Sequence, residues 1–175
     1  ERKTPKFYLN HIGKEIYALT YEFKSIASGT DLLDKFRPIG EDLADLLLLR
    51  TGFAEVTEYT TDLFIPQMLN LDRMDFLDFK KGCYTGQEII ARAHYRGAVK
   101  RRIRHLLCTL NDLPQAGDSI NKPNGKSIGS IASAARSSPS NTEILAVISD
   151  SANEFSGLTI NHETDIDARE FQLDY

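Results

Sequence analysis

The residues whose types and spacing carry the most chemistry lie between Lys80 and Arg102. Cys83 stands in the run Lys80-Lys81-Gly82-Cys83-Tyr84-Thr85-Gly86-Gln87-Glu88. A thiol becomes a nucleophile, a redox centre or a metal ligand when it ionises, and neighbouring positive charge favours the thiolate. Lys80 and Lys81 supply such charge. Thr85-x-x-Glu88 has the spacing of a capping box ahead of the apolar run Ile89-Ile90-Ala91, which predicts a short helix capped at Thr85. Its free N–H groups and its dipole would then lie close to the sulfur. Gly82 and Gly86 carry no side chain, so a ligand or a partner backbone can approach closely on either flank. Against this stands the usual fate of a free cysteine, which is burial without chemistry. Cys108 fits that plainer description, because it sits inside the alternating run Arg102–Leu110.

From Lys80 to His105 there are eight Lys or Arg residues and one acid, Glu88. The segment carries +7 in a chain whose formal net charge is −4, so the rest carries −11. A local excess of this size suits a polyanion, either RNA phosphates or the glutamate tail of a folate. The bland reading of Arg92, Arg96, Lys100, Arg101, Arg102 and Arg104 is a solvated helix face followed by a solvated strand face. His94 and His105 have no recognised metal-ligand spacing with Cys83. Asp72, Asp75 and Asp78 suit loop solvation and turns. No metal site is expected. There is no Ser-His-Asp order, no phosphate-cradling glycine loop and no dinucleotide fingerprint.

The elements that must position these residues can be read from period and punctuation. Phe7-Tyr8-Leu9 and Ile16-Tyr17-Ala18-Leu19 suggest strands around a turn at Gly13. Asp31 to Phe36 reads as a helix ended ahead of Pro38. Glu41 to Arg50 is the stronger helix, with Leu43, Leu46, Leu47 and Leu49 at three-to-four spacing and Gly52 as its stop. Thr57 to Asp78 reads as loop, and Gly97 as the end of the helix that follows Cys83. Beyond Arg101 the period becomes two. Arg102–Leu110, Ile128–Ala134, Glu143–Ile148, Leu158–Ile160 and Ala168–Leu173 read as strands, with Asn124-Gly125 as a hairpin turn and Ser137–Asn141 as an exposed loop. The expected class is α+β, an α/β domain over 1–100 followed by a small antiparallel β-barrel over 101–175.

Composition sets the outer bounds. At 175 residues, with 41% hydrophobic and 26% charged residues, the chain can form one sizeable core or two small ones. Its longer apolar stretches, such as Leu46–Leu49, are far too short to cross a bilayer, so no membrane role is expected. Two cysteines make no disulfide framework and no C-x-x-C pair, which suits a reducing, cytoplasmic setting. The chain opens Glu1-Arg2-Lys3-Thr4-Pro5, without an initiator methionine or the apolar core of a signal peptide. It is expected to be part of a longer protein.

The run from Lys80 to Glu88 resembles the signature K-G-C-Y-x-G-Q-E of YgfZ-type proteins, relatives of the glycine-cleavage aminomethyltransferase (T-protein). The flanks agree: Phe64-Ile65-Pro66-Gln67 and Asn70-Leu71 upstream, Ala91-Arg92-Ala93, Arg96-Gly97 and Lys100-Arg101 downstream. The resemblance anchors about Gly52 to Arg101. It implies part of a T-protein-like, folate-binding middle domain and a C-terminal barrel, with the N-terminal part of the same ring as a partner. It implies Cys83 as the functional thiol, with Lys81, Gly82, Tyr84, Gly86, Gln87 and Glu88 shaping the loop and helix start and Arg92 and Arg96 exposed. The implied function is support of tRNA modification and of iron–sulfur enzyme assembly or repair. Its partners would be iron–sulfur enzymes such as tRNA-modifying enzymes, and tRNA. The implied cofactor is tetrahydrofolate, and the rival activity is folate-dependent aminomethyl transfer. Two departures stand out. Arg50 in Leu47-Leu48-Leu49-Arg50-Thr51-Gly52 occupies the place of a glutamate expected to contact the pterin, and the chain has no tryptophan. A structural barrel with an incidental cysteine is the remaining reading.

Overall fold

A computed structural model of the chain describes residues 7–13, 16–21, 39–97, 99–152, 154–162 and 164–173, the first two stretches as backbone. Strands β1 (Phe7–Gly13) and β2 (Ile16–Tyr21) pair antiparallel from Phe7↔Tyr21 to Gly13↔Ile16. The expected strands are therefore present and longer than read, whereas the residues joining them and the helix expected over Asp31–Phe36 lie outside the described residues.

Helix α1 (Glu41–Arg50) forms where the leucine spacing puts it. Glu41 and Asp42 in its first turn complement the helix dipole. At its end the Thr51 hydroxyl donates to the Leu48 carbonyl (2.6 Å), and Gly52, at φ +80°, turns the chain away. Leu46 and Leu49 are buried, but Leu43 and Leu47 face outward, so the apolar stripe is narrower in use than in sequence. Residues 53–78 contain neither helix nor strand, as expected, yet they are far from loose. Hydrogen-bonded turns link Thr57 to Thr60 and Ile65 to Met68, while Thr60, Gln67, Leu69 and Asn70 are buried.

Seven strands follow helix α2 (Gln87–Tyr95): β3 (Arg101–Thr109), β4 (Ser119–Asn121), β5 (Ser127–Arg136), β6 (Asn141–Ser149), β7 (Leu158–Ile160), β8 (Thr164–Ile166) and β9 (Ala168–Phe171). They form one antiparallel sheet in the order β8-β7-β4-β5-β6-β3-β9. The register shifts in β5 between Ile131 and Ser133 and in β4 at Ile120/Asn121 are bulges of the kind that bend a sheet. The sheet curls, and no pairing joins β8 to β9 among the described residues, so the small antiparallel barrel expected takes the form of a half-barrel. Strands β4 and β8, three residues each, lie outside the sequence reading. The Asn124-Gly125 turn does join β4 to β5, with Lys122 donating to the Lys126 carbonyl (2.9 Å).

Both faces of the sheet are used. Leu106, Cys108, Ile120, Ile131, Ile144, Ile148, Leu158 and Ile160 form the inner core. On the other face Ile103, Ala132, Ala135, Leu145 and Val147 pack against Leu46, Leu49, Ala54 and Leu69. Strand β6 is the axis of both cores. Ile144, Ala146 and Ile148 point one way and Leu145 and Val147 the other, as the period of two requires, and all five are buried. That is why Glu143–Ile148 reads as nearly continuous apolar sequence. Burying each of the larger side chains stabilises the fold by about 1.5–3 kcal/mol.

Candidate functional site

Cys83 is exposed, on the loop between the turn at Phe79-Lys80 and the turn at Thr85-Gly86. Asp78 shapes the entry to this loop, its carboxylate accepting from the Lys80 N–H (2.8 Å). The exit differs from expectation. The cap of α2 is Gly86, not Thr85, and no side chain caps the helix. Gly86 sits at φ +87°, a conformation open to glycine and costly for residues with a Cβ, so the turn rather than a hydroxyl starts the helix. Gln87 N–H closes it by donating to the Tyr84 carbonyl (3.2 Å). At the far end α2 stops at Tyr95 with Arg96 as cap, two residues short of Gly97.

Lys80, Lys81, Gly82, Tyr84, Thr85, Gly86, Glu88, Arg92, Arg96, Lys100 and Arg101 are all exposed, and Gln87 is half-buried. The Lys81 ammonium lies 4.6 Å from the centre of the Tyr84 ring, a cation–π contact within the motif. A Cβ placed on Gly82 or Gly86 would meet nothing within 4 Å, so space on both flanks of the thiol is open. Helix α2 itself has no buried residue. It is tied down by Gln67, whose amide donates to the Ile90 carbonyl (2.7 Å), and by His94, which stacks on Phe79 at 3.8 Å and 18°. Tyr95 meets His94 edge-on at 4.7 Å.

The basic stretch divides in two. Arg102 is bound bidentately to Asp72 (2.9 and 3.0 Å) and also donates to the Gln67 carbonyl and the Asn70 side chain. Arg104 reaches Glu170 (3.3 Å). These two arginines are structural ties and not part of an open basic face. Asp72 is likewise more than a solvated loop residue: burial opposes its charge, yet the Arg102 pair outweighs this and holds its carboxyl below the ordinary value. Arg92, Arg96, Lys100 and Arg101 keep the exposed positions that the sequence suggests.

Arg50 makes a contact that no spacing announces, because its partner is 93 residues away. Its Nε donates to Glu143 (2.9 Å) and its Nη2 to the other carboxylate oxygen (2.5 Å). Glu143 is buried on the outer face of β6, and its second neighbour is the buried His105 Nε2 at 2.8 Å. Burial pushes the His105 imidazole below its ordinary pKa, since Arg50 already offsets the charge of Glu143. Burial acts on Glu143 in the opposite sense, but its hydrogen bonds from Arg50 and His105 prevail and keep it low. His105 is thus committed to a carboxylate and His94 to a ring stack. No trio of His, Cys, Asp or Glu able to hold a metal exists among the described residues. Cys108 is buried, and burial raises its thiol to about 11.

Compared with curated proteins, the chain is 37% identical over 105 residues to the tRNA-modifying protein YgfZ of Pectobacterium atrosepticum, over 58% of this chain and 32% of that protein. It is 36% identical over 128 residues to the protein of the same name from Escherichia fergusonii, over 69% of this chain and 37% of that protein. A stretch of 57 residues is 54% identical to the YgfZ of Pectobacterium carotovorum. The chain is YgfZ-type. No family model matches it. This YgfZ-type chain spans about a third of the length of the curated relatives it matches. Phe79 and Tyr95 are the site residues that sequence reading passes over, and His94, weighed there only as a metal ligand, is a stacking partner instead. The signal for Tyr95 is its place in Arg92-x-x-Tyr95-Arg96: the three-residue spacing puts the ring beside Arg92 on the helix surface, and all three residues line one hollow.

Proposed function

We propose that this chain belongs to a factor that supports tRNA modification and the assembly or repair of iron–sulfur enzymes, by way of the Cys83 thiol. The observation that carries the reading is an exposed cysteine in the loop that leads into α2, open on both glycine flanks and followed by exposed Arg92 and Arg96. The relatives named for tRNA modification support the first part of it. The same resemblance supports a T-protein-like origin for the segment ahead of the half-barrel.

The test is replacement of Cys83 by alanine and by serine in the intact protein, in cells lacking the endogenous copy. Loss of modified nucleosides from bulk tRNA, with normal protein levels, is the expected outcome. Full complementation by either variant sinks the thiol reading.

Tetrahydrofolate, the implied cofactor, does not fit the residues present at position 50. A guanidinium donates hydrogen bonds and accepts none, so it cannot accept from the amide N–H and amino group of a pterin as a glutamate would, and here it is engaged by Glu143. The proposed role therefore includes no folate-dependent step. Calorimetric titration of the intact protein with tetrahydrofolate tests this. Saturable binding accompanied by methylene transfer would favour the transferase alternative.

A further inference from the structure

Helix α2 is nine residues long and buries none of them, although a helix of that length is marginal in water without packing. What it exposes is specific. Tyr95 is 69% and Ile89 63% exposed. A hollow of about 250 Å³ on the helix surface is lined by Glu88, Ala91, Arg92, Tyr95 and Arg96. Neither arginine is in an ion pair among the described residues, in contrast to Arg50, Arg102 and Arg104. The ring of Tyr95 is braced by the His94–Phe79 stack, with Phe79 edge-on at 6.4 Å, so one side of an ordered aromatic group is presented to solvent. The face carries one acid, Glu88, within a segment of charge +7.

We propose that this face of α2 binds single-stranded RNA, with a base stacked on Tyr95 and flanking phosphates held by Arg92 and Arg96. A braced, exposed aromatic ring beside cations is the chemistry of single-strand recognition, because every base has a π-face and the backbone is anionic. A duplex hides those faces and would gain only the phosphate contacts. Charge complementarity favours RNA over an apolar protein partner. The inference rests on the tRNA-modification reading and adds to it a surface and a substrate form.

The experiment measures fluorescence anisotropy of a labelled single-stranded RNA 12-mer and of the matching duplex with the intact protein, across a salt series. Tyr95→Ala should weaken single-strand binding roughly ten-fold or more and Tyr95→Phe should retain it. Arg92→Ala and Arg96→Ala should each weaken binding and flatten the dependence of log K on log salt by about one phosphate's worth. Cys83→Ala should leave affinity unchanged while abolishing the cellular function, which separates the two readings. Absent or salt-independent RNA affinity, equal affinity for the duplex, or binding that survives Tyr95→Ala but is lost in Ile89→Ser would each overturn the proposal. The last result would assign the face to an apolar protein partner.

Discussion

Arg50 shows how one substitution changes what a neighbourhood can do. Where the resemblance implies an acid, this chain places a cation, and the cation is consumed by Glu143, which is only 5% exposed in its side chain. Restoring the acid should not restore a pterin contact. Arg50→Glu sets two carboxylates against each other and removes the fork from a buried charge, and because Arg50 is half-exposed the cost is on the order of 2–3 kcal/mol. Chemical denaturation of the variant checks this; unchanged stability would mean that the fork contributes little. The two thiols make a second contrast at this scale. Cys83 is open to reagent, whereas Cys108 donates weakly to the Thr142 carbonyl (3.5 Å) from inside the core, with its pKa raised to about 11. Of this chain's two thiols, a disulfide reagent should therefore label Cys83 in the native state and both in denaturant, and Cys83→Ser should remove this chain's native signal. Rapid native labelling of both would show that the inner core opens readily.

The loop and helix around the thiol depend on two glycines for different reasons. Gly86 needs its positive φ, so Gly86→Ala should cost about 1–2 kcal/mol and loosen the start of α2. Gly82 has open space and no positive φ, so Gly82→Ala should leave thermal stability within about 0.5 kcal/mol of the parent. If Gly82→Ala nevertheless loses function in cells, the glycine serves a partner's approach; if it complements fully, that role is excluded. Much of this element structure was legible beforehand. Helix α1, the Asn124-Gly125 turn and strands β3, β5, β6 and β7 follow from periods of 3.6 and 2 and from turn residues, because burial on a fixed face writes itself into sequence. Strands β4 (Ser119-Ile120-Asn121) and β8 (Thr164-Asp165-Ile166) hold a single apolar residue each, so neither shows the alternation that Leu158-Thr159-Ile160 shows in β7. The cap at Gly86 imitated a Thr85 capping box because the two positions are adjacent and only backbone geometry separates them. The Arg50–Glu143–His105 group and the Arg102–Asp72 tie were not legible, because each is closed by tertiary packing across tens of residues.

Across the described fold, the sheet's outer face joins residues 46–71 to the half-barrel through an apolar layer bordered by charged ties. Those ties give stability a definite dependence on pH. His105 has its pKa lowered from 6.5 by burial, so between that value and its folded value the unfolded chain binds the extra proton. Stability from this group is complete above about pH 6.5 and is lost as pH falls through the folded value. Glu143 and Asp72 are lowered from 4.5 and 3.8, chiefly against the opposing effect of burial, by Arg50 and Arg102. Their contribution is complete above those values and disappears at still lower pH. All three act in the same direction, so no compensating rise is expected on the acid side. Thermal melts from pH 8 to pH 4 should show a plateau, a first decline beginning near 6.5, and a steeper one below about 4.5. His105→Asn keeps a polar contact to Glu143 but does not titrate in this range, so it should remove the first decline and leave the second. A first decline that persists in His105→Asn would place the proton uptake elsewhere in the molecule and separate acid sensitivity from the Arg50–Glu143–His105 group.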